Sequence, residues 1–459
     1  MEQMNAWLKY DESQLKELTD YCEGYKKYIS VCKTERECVA ETIRQAEKKG
    51  YRDLKKIIQE NRTVKAGDKL YFNNMDKALV LFLVGKEPIE KGMKILGAHI
   101  DSPRIDIKQN PLYEDTGLAM LDTHYYGMIK KYQWVALPLA IHGVVVKKNG
   151  TKLEVVIGES ENDPVIGISD LLVHLSGKQL EKKGSLVVEG EDLDVLCGSI
   201  PLKDGEKDAV KANIKKLLKE KYEIEEEDFL SAELEIVPAG SARDYGLDRS
   251  MIMGYGHDDR VCAYTSYTAL FETEEVDRTC VCLLVDKEEV GTAGATSMQS
   301  RFFENAVAEL INCMDEYSDL KLRRAMENSE MFSSDVSAAF DPLYPSVNEK
   351  KNSAYLAKGL TFNKYTGRDG KMLSNDANPE FIAEIRAIME KHNVSWQTAE
   401  LGRVDEGGGG TIAKFMAVYN MQVIDSGVPV LNMHAPWEIV SKADVFEAKK
   451  GYLAFLKEA

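Results

Sequence analysis

Residues 94–103 read KILGAHIDSP, and residues 279–295 read TCVCLLVDKEEVGTAGA. Each is a short apolar run that ends in acidic or imidazole side chains. Residues 94–100 predict a buried strand, closed by Pro103, and 279–285 predict a second. Further strands are expected at 69–72, 78–84, 329–334, 396–400 and 422–425. Helical patterning falls at 12–29, at 34–49 (from a Thr34 cap to Gly50), and at 260–273, 301–325, 379–392, 409–419 and 444–457. Strands and helices in alternation indicate an α/β fold, a sheet covered by helices on both faces. Between 106 and 244 the texture changes. WVALPLAIHGVVV, KLEVVIG, GSLVVEGEDLDVL and SAELEIVPA are strand-like, with one charged helical stretch at 205–221. This predicts a β-rich insertion at 106–244 in a discontinuous unit formed by 1–105 and 245–459.

The 459 residues exceed one ordinary core, which stops growing near ~250–300 residues. With 59 basic and 76 acidic residues the net charge is −17, which repels phosphate backbones and anionic membrane surfaces. The charge therefore argues against nucleic acid and membrane as partners. The longest apolar run, ALVLFLVG at 78–85, is far too short to span a bilayer, and the charged N-terminus lacks the apolar core of a signal peptide. None of the eight cysteines forms a CxxC pair, and Cys280 and Cys282 share one strand face. They read as reduced thiols packed as small hydrophobes in a cytoplasmic protein.

The chemistry-bearing residues sit at element ends. His99 closes a strand, where α/β sheets place ligands. Asp101, two residues on, is spaced to hydrogen-bond the far ring nitrogen while the near one binds a metal. On spacing alone, a core histidine held by an acid is the better reading. Asp258 and Asp259 precede a helix, where acids cap; one can cap while the other bridges metals. Glu288 and Glu289 come after a buried strand, where adjacent acids are costly without cations. A metal site would use one as ligand and the other as base, and a solvated turn fits equally. Asp335 succeeds a short strand, and His434 succeeds an apolar run. Two imidazoles and three carboxylates suit a pair of Zn²⁺ or similar divalent ions, with a sixth carboxylate left to move protons. In VDEGGGGTIAKF the glycines 407–410 open a helix without the Lys-Ser/Thr of a nucleotide loop. They read as a loop that lets backbone, at Gly408 and Gly409, approach a substrate, or as a plain turn. Lys364 and Arg368 are candidates to meet a substrate carboxylate, or solvated loop cations.

Taken in order, His-x-Asp-Ser-Pro, Asp-Asp, Asp-x-Glu-Glu-Val-Gly, Ser-x-Asp and Met-His resemble the aspartyl aminopeptidase/aminopeptidase I family of dinuclear zinc peptidases, over nearly the whole chain. The resemblance implies a helix-covered catalytic domain interrupted by a β-rich dimerisation domain, in homo-oligomers that reach tetrahedral dodecamers. It implies that His99 and Asp335 hold one metal and Glu289 and His434 the other, with Asp258 as bridge. Glu288 would be the general base, and Asp101 would orient His99. The metals would be Zn²⁺, with Co²⁺ or Mn²⁺ able to share such ligands. The implied reaction is removal of an acidic or neutral aliphatic N-terminal residue from peptides. Alternatives are another dinuclear hydrolase on this scaffold, a deacylase or carboxypeptidase, or a non-catalytic assembly protein. The chain departs from the family at His257-Asp258-Asp259-Arg260, where a Leu-Asp-Asn-like segment is usual, and at Asp170, where some members carry a functional histidine.

Overall fold

The computed structural model describes residues 4–203 and 207–459, and the chain divides into two units. The first comprises Met1–Asp101, Ala242–Met433 and Glu438–Ala459. The second comprises Ser102–Ser241 and His434–Trp437.

In the first unit two helices, α1 (Glu12–Val31) and α2 (Glu35–Lys48), begin with capping boxes. Asp11 pairs with Gln14 and Thr34 with Glu37, each satisfying two amides left over at a helix start. A nine-stranded sheet is built from β1 (Arg52–Asp53), β2 (Lys69–Asn74), β3 (Ala78–Leu83), β4 (Lys94–His99), β5 (Cys280–Val285), β6 (Glu330–Ser334), β7 (Leu360–Asn363), β8 (Trp396–Thr398) and β9 (Gln422–Gly427). Their spatial order is β1-β2-β3-β5-β4-β6-β9-β7-β8. The central four, β5, β4, β6 and β9, are parallel, and antiparallel pairs at β3–β5 and β7–β9 make the sheet mixed. Every residue of β4 and β5 is buried. Cys280, Cys282 and Leu284 enter one apolar layer, and Val281, Leu283 and Val285 the opposite one. That is why these runs are continuously apolar rather than alternating. The first layer is closed by α1, α2, α3 (His257–Phe271) and α4 (Lys442–Lys457), the second by the helices Leu54–Gln59, Phe302–Met314 and Asp319–Glu327. A smaller five-stranded mixed sheet joins Arg243–Tyr245, Met251–Gly254, Glu438–Ser441, Pro429–Leu431 and Ser337–Ala338.

Two expected helices differ from the observed ones. The stretch 301–325 is two helices, because Asp315 leaves the helical conformation and Ser318 starts a new one by accepting the Lys321 amide. The stretch 409–419 shrinks to Ala413–Ala417, since glycines are poor helix formers and Thr411 bonds elsewhere. All eight cysteines are free, and no described helix is long and apolar enough to cross a membrane.

The second unit is built on one antiparallel six-stranded sheet. Its order is Lys152–Ile157, Leu139–Val146, Ala232–Pro238, Arg104–Asp115, Leu118–Tyr126 and Val195–Gly198. The charged stretch forms the helix Ala209–Tyr222; positions 205 and 206 of the expected range lie outside the described residues. Trp134 is fully buried, and the buried Arg104 guanidinium lies 3.8 Å over the Tyr126 ring while its Nε reaches Asp106 and Glu235.

Gly427, the last residue of β9, packs directly on the turn that presents Asp335. A Cβ there would lie 1.8 Å from the Asp335 carbonyl oxygen. Gly427→Ala is expected to destabilise the protein by ~1–3 kcal/mol, as overpacking does. A lowered urea midpoint with unchanged m checks this.

Candidate metal centre

The carboxyl ends of β4, β5 and β6 point to one edge of the sheet, and ionisable side chains gather there. His99 is the last residue of β4 and is buried. Its Nε2 lies 3.1 Å from Asp258 Oδ1 and 3.9 Å from Asp335 Oδ1. Its Nδ1 faces Asp101, 3.0 Å from the backbone carbonyl and 3.4 Å from Oδ1. Asp258 and Asp259 open α3 with non-helical backbone angles, so both carboxylates turn inward. Two groups of potential ligands share the imidazole: His99, Asp258 and Glu289, and His99, Asp259 and Asp335, with ligand atoms in each group within 4.8 Å of one another. Both groups are made by the first unit alone.

Glu288 and Glu289 occupy a single turn after β5. Lys287 and Gly291 on either side take positive φ, 70° and 91°, which folds the turn sharply. Asp101 fixes it, accepting the Glu288 amide on one oxygen at 3.1 Å and the Glu289 amide on the other at 3.2 Å. Asp286 anchors the turn's start, accepting from the Lys287 amide and the Thr296 hydroxyl. Burial, reinforced by Glu35 and Asp101, pushes Asp286 up to about 6.

The electrostatics of the centre fit a cation. Burial opposes charge on His99, yet the carboxylates of Asp101, Asp258, Asp335 and Asp259 outweigh it and raise the imidazole well above its ordinary range. Burial raises Asp259 strongly; it raises Asp335 too, and there Asp259 adds its repulsion. Both oxygens of Asp259 are buried, and neither accepts a well-formed hydrogen bond among the described residues. One imidazole among crowded carboxylates is the mixed N/O donor set that zinc accepts.

The remaining sequence candidates have other surroundings. His434 belongs to the second unit, where its Nδ1 lies 2.9 Å from the Met128 carbonyl. His257 is fully buried with Nδ1 at the Tyr25 hydroxyl and Nε2 at the Ile252 carbonyl, so both ring nitrogens are engaged away from the cluster and it belongs to neither donor group. Burial lowers it to about 3. Lys364 pairs with Asp376 at 2.8 Å. Gly408, at φ 128°, packs on the backbone of Arg368, where a Cβ would come within 2.6 Å, and the Gly409 amide donates to the Thr366 carbonyl. Asp170 is exposed and accepts from its own neighbour Leu171 and from Gln179. Two residues of the centre escape sequence reasoning: Asp259, passed over in favour of Asp258, and Glu438. Glu438, buried four residues after His434, accepts the Asp258 amide at 3.0 Å. The acid in MHAPWE is its only signal in the sequence.

A histidine and several acids gathered at the carboxyl ends of parallel strands in a helix-covered sheet give this α/β protein a donor set suited to a divalent metal. Residues 28–456 match the model of the aminopeptidase I zinc metalloprotease (M18) family. A curated relative described as a probable M18 family aminopeptidase 1 from Clostridium acetobutylicum is 66% identical, over 99% of this chain and 98% of its own. The crystal structure of aminopeptidase I from Clostridium acetobutylicum has a TM-score of 0.93 at 65% identity and covers 99% of each chain. That of the M18 aminopeptidase from Thermotoga maritima has 0.94 at 41%, over 100% of both. The S. cerevisiae mApe1 dodecamer shares the fold at 20% identity, with a TM-score of 0.78 over 96% of this chain and 97% of its own. The chain belongs to the M18 aminopeptidase I zinc metalloprotease family and is a zinc aminopeptidase, a hydrolase.

Asp425, buried beside the glycine loop, accepts the Thr411 hydroxyl at 2.7 Å, and burial pushes it up to about 6. Unfolded, it titrates near ~3.9. The folded state therefore holds the extra proton between these values, so this group's stabilisation is complete below ~3.9 and lost as pH rises through about 6. Asp425→Asn keeps the acceptor and removes the titration. Relative to the parent, its unfolding free energy is expected to rise by a few kcal/mol from pH 4 to 7, read from urea melts at each pH.

Proposed function

We propose that this zinc aminopeptidase works with two metal ions and uses Glu288 as its general base. The observation that carries the reading is the pair of three-residue donor groups sharing His99, with Glu288 next to one of them on a turn clamped by Asp101. His99 and Asp335 would hold one metal, Glu289 and His434 the other, and Asp258 would bridge. His434 enters from the family motif. Zinc, when bound, supplies the Lewis acidity that makes water nucleophilic near neutral pH. Glu288 would take a proton from the attacking water and deliver it to the departing amine, while Asp101 keeps the Glu288 turn and the His99 ring in place. Gly408 and Gly409 bring backbone toward the substrate and Lys364 a cation, on a preferred N-terminal residue that is acidic or neutral aliphatic. Co²⁺ or Mn²⁺ would be accepted by the same donors.

The segment 106–244 is read as the dimerisation domain of a cytoplasmic homo-oligomer. Support comes from one surface stretch in the second unit. Leu171, Leu172, Val173, Leu175, Leu180 and Leu186 are each at least 45% exposed, and exposed large apolar side chains gathered in one stretch of chain are what a subunit interface covers. A second copy of this chain is the proposed occupant. The S. cerevisiae relative that shares the fold is a dodecamer, and a dimer-based dodecamer is the corresponding proposal here.

Peptides beginning with Asp, Glu, Leu, Ala or Lys should lose that residue in a chelator-sensitive reaction, and the ranking assigns specificity. Glu288→Gln is expected to retain zinc while kcat falls by at least ~10²–10⁴-fold. Full turnover in that variant excludes Glu288 as base. Val173→Asp should lower the mass measured by light scattering, and an unchanged assembly assigns the interface elsewhere.

A further inference from the structure

The acid pair Asp258-Asp259 is flanked by His257 and Arg260, and both flanking side chains are gripped by the N-terminal helical hairpin. Tyr21, Tyr25 and Tyr28 are spaced four and three residues apart, so they share one face of α1. That face packs on α3. Ring centroids lie 5.4 Å apart for Tyr21–Tyr264, 5.3 Å for Tyr25–Tyr264 and 5.7 Å for Tyr28–Tyr267. The packing brings the Tyr25 hydroxyl to 2.6 Å from His257 Nδ1. His257 Nε2 lies 3.2 Å from the Ile252 carbonyl, which can only accept, so Nε2 carries the ring proton. Nδ1 of the neutral ring is then an acceptor, and Tyr25 is the donor. The residue before Asp258 is thus tied on one side to α1 and on the other to the Met251–Gly254 strand.

Arg260 makes the matching grip after the pair. It is fully buried, with its guanidinium 5.1 Å over the Tyr255 ring. Nη2 donates to the Lys33 carbonyl, in the turn between α1 and α2, at 2.8 Å. Nε donates to the Ile100 carbonyl at 3.3 Å, and Ile100 stands between His99 and Asp101. The fork therefore links the hairpin to the strand end that presents the histidine. With Glu438 accepting the Asp258 amide, the acid pair is held from three directions.

We infer that Tyr25 and Arg260 are positioning residues of the metal centre: the N-terminal hairpin sets where Asp258 stands relative to His99. The inference rests on the reading of His99 and Asp258 as ligands. Both positioning residues are fully buried.

The test uses the full-length protein, with zinc affinity from chelator competition, kcat and KM on a cleaved peptide, and urea unfolding of the metal-free form. Tyr25→Phe removes one oxygen and keeps the aromatic packing. It is expected to weaken zinc binding and lower kcat by about 10–100-fold, as loss of a ligand-supporting bond does, with KM held within about twofold. The metal-free urea midpoint falls modestly, because the buried His257 Nδ1 loses its donor. Arg260→Lys keeps the charge but loses the rigid fork, and should shift zinc affinity in the same direction. Parental zinc affinity and kcat in Tyr25→Phe would overturn the inference. So would losses that vanish when zinc affinity and kcat are compared under conditions where both metal-free proteins are fully folded. Asp258→Asn tests the reading beneath it: parental zinc affinity in that variant removes Asp258 as a ligand, whatever Tyr25→Phe shows.

Discussion

Asp101 connects the two strand ends on which the centre is built. Its carboxylate faces the His99 ring and accepts the amides of both Glu288 and Glu289, so the end of β4 and the turn after β5 cannot shift independently. Charge-assisted bonds to backbone amides are among the stronger hydrogen bonds a protein makes. Here they hold two adjacent glutamates in a turn with left-handed residues on both sides, a backbone that would not persist without support.

The fold explains why such a cluster can be built at all. Parallel strands buried on both faces end together, and at their carboxyl ends polar groups can enter without interrupting the apolar layers. His99, Asp335 and the acids after Val285 all sit at that boundary or one to four residues past it. Helix α3 supplies the remaining acids from its non-helical start rather than from its body, whose residues are committed to packing. Removed from water, the crowded carboxylates of Asp259 and Asp335 are held above their usual range and that of His99 is raised with them. A divalent cation relieves what protons relieve in its absence.

Much of this architecture is legible in the chain for local reasons. Apolar runs that stop at acids mark strand ends, and the capping pairs Asp11/Gln14 and Thr34/Glu37 mark helix starts. The helix expected through 315–318 is interrupted by neither proline nor glycine, so only the Ser318 cap reveals the break. Strands of three or four residues, such as Pro429–Leu431 and Met251–Gly254, are too short to show a period. Asp259 has the spacing of a cap, and its place beside Asp335 depends on backbone angles that spacing does not encode.

By itself the sequence determined the α/β class, the identity of most ionisable groups at strand ends, and the family, because each is written in local pattern and residue order. The tertiary structure decided which acids meet, with Asp259 as well as Asp258 at His99. It also decided that Glu438, Tyr25 and Arg260 support them, through hydrogen bonds that span 180, 232 and 160 positions of the chain. Bonds across such separations leave no periodicity behind, since they depend on how strands and helices pack and not on the order of neighbouring residues.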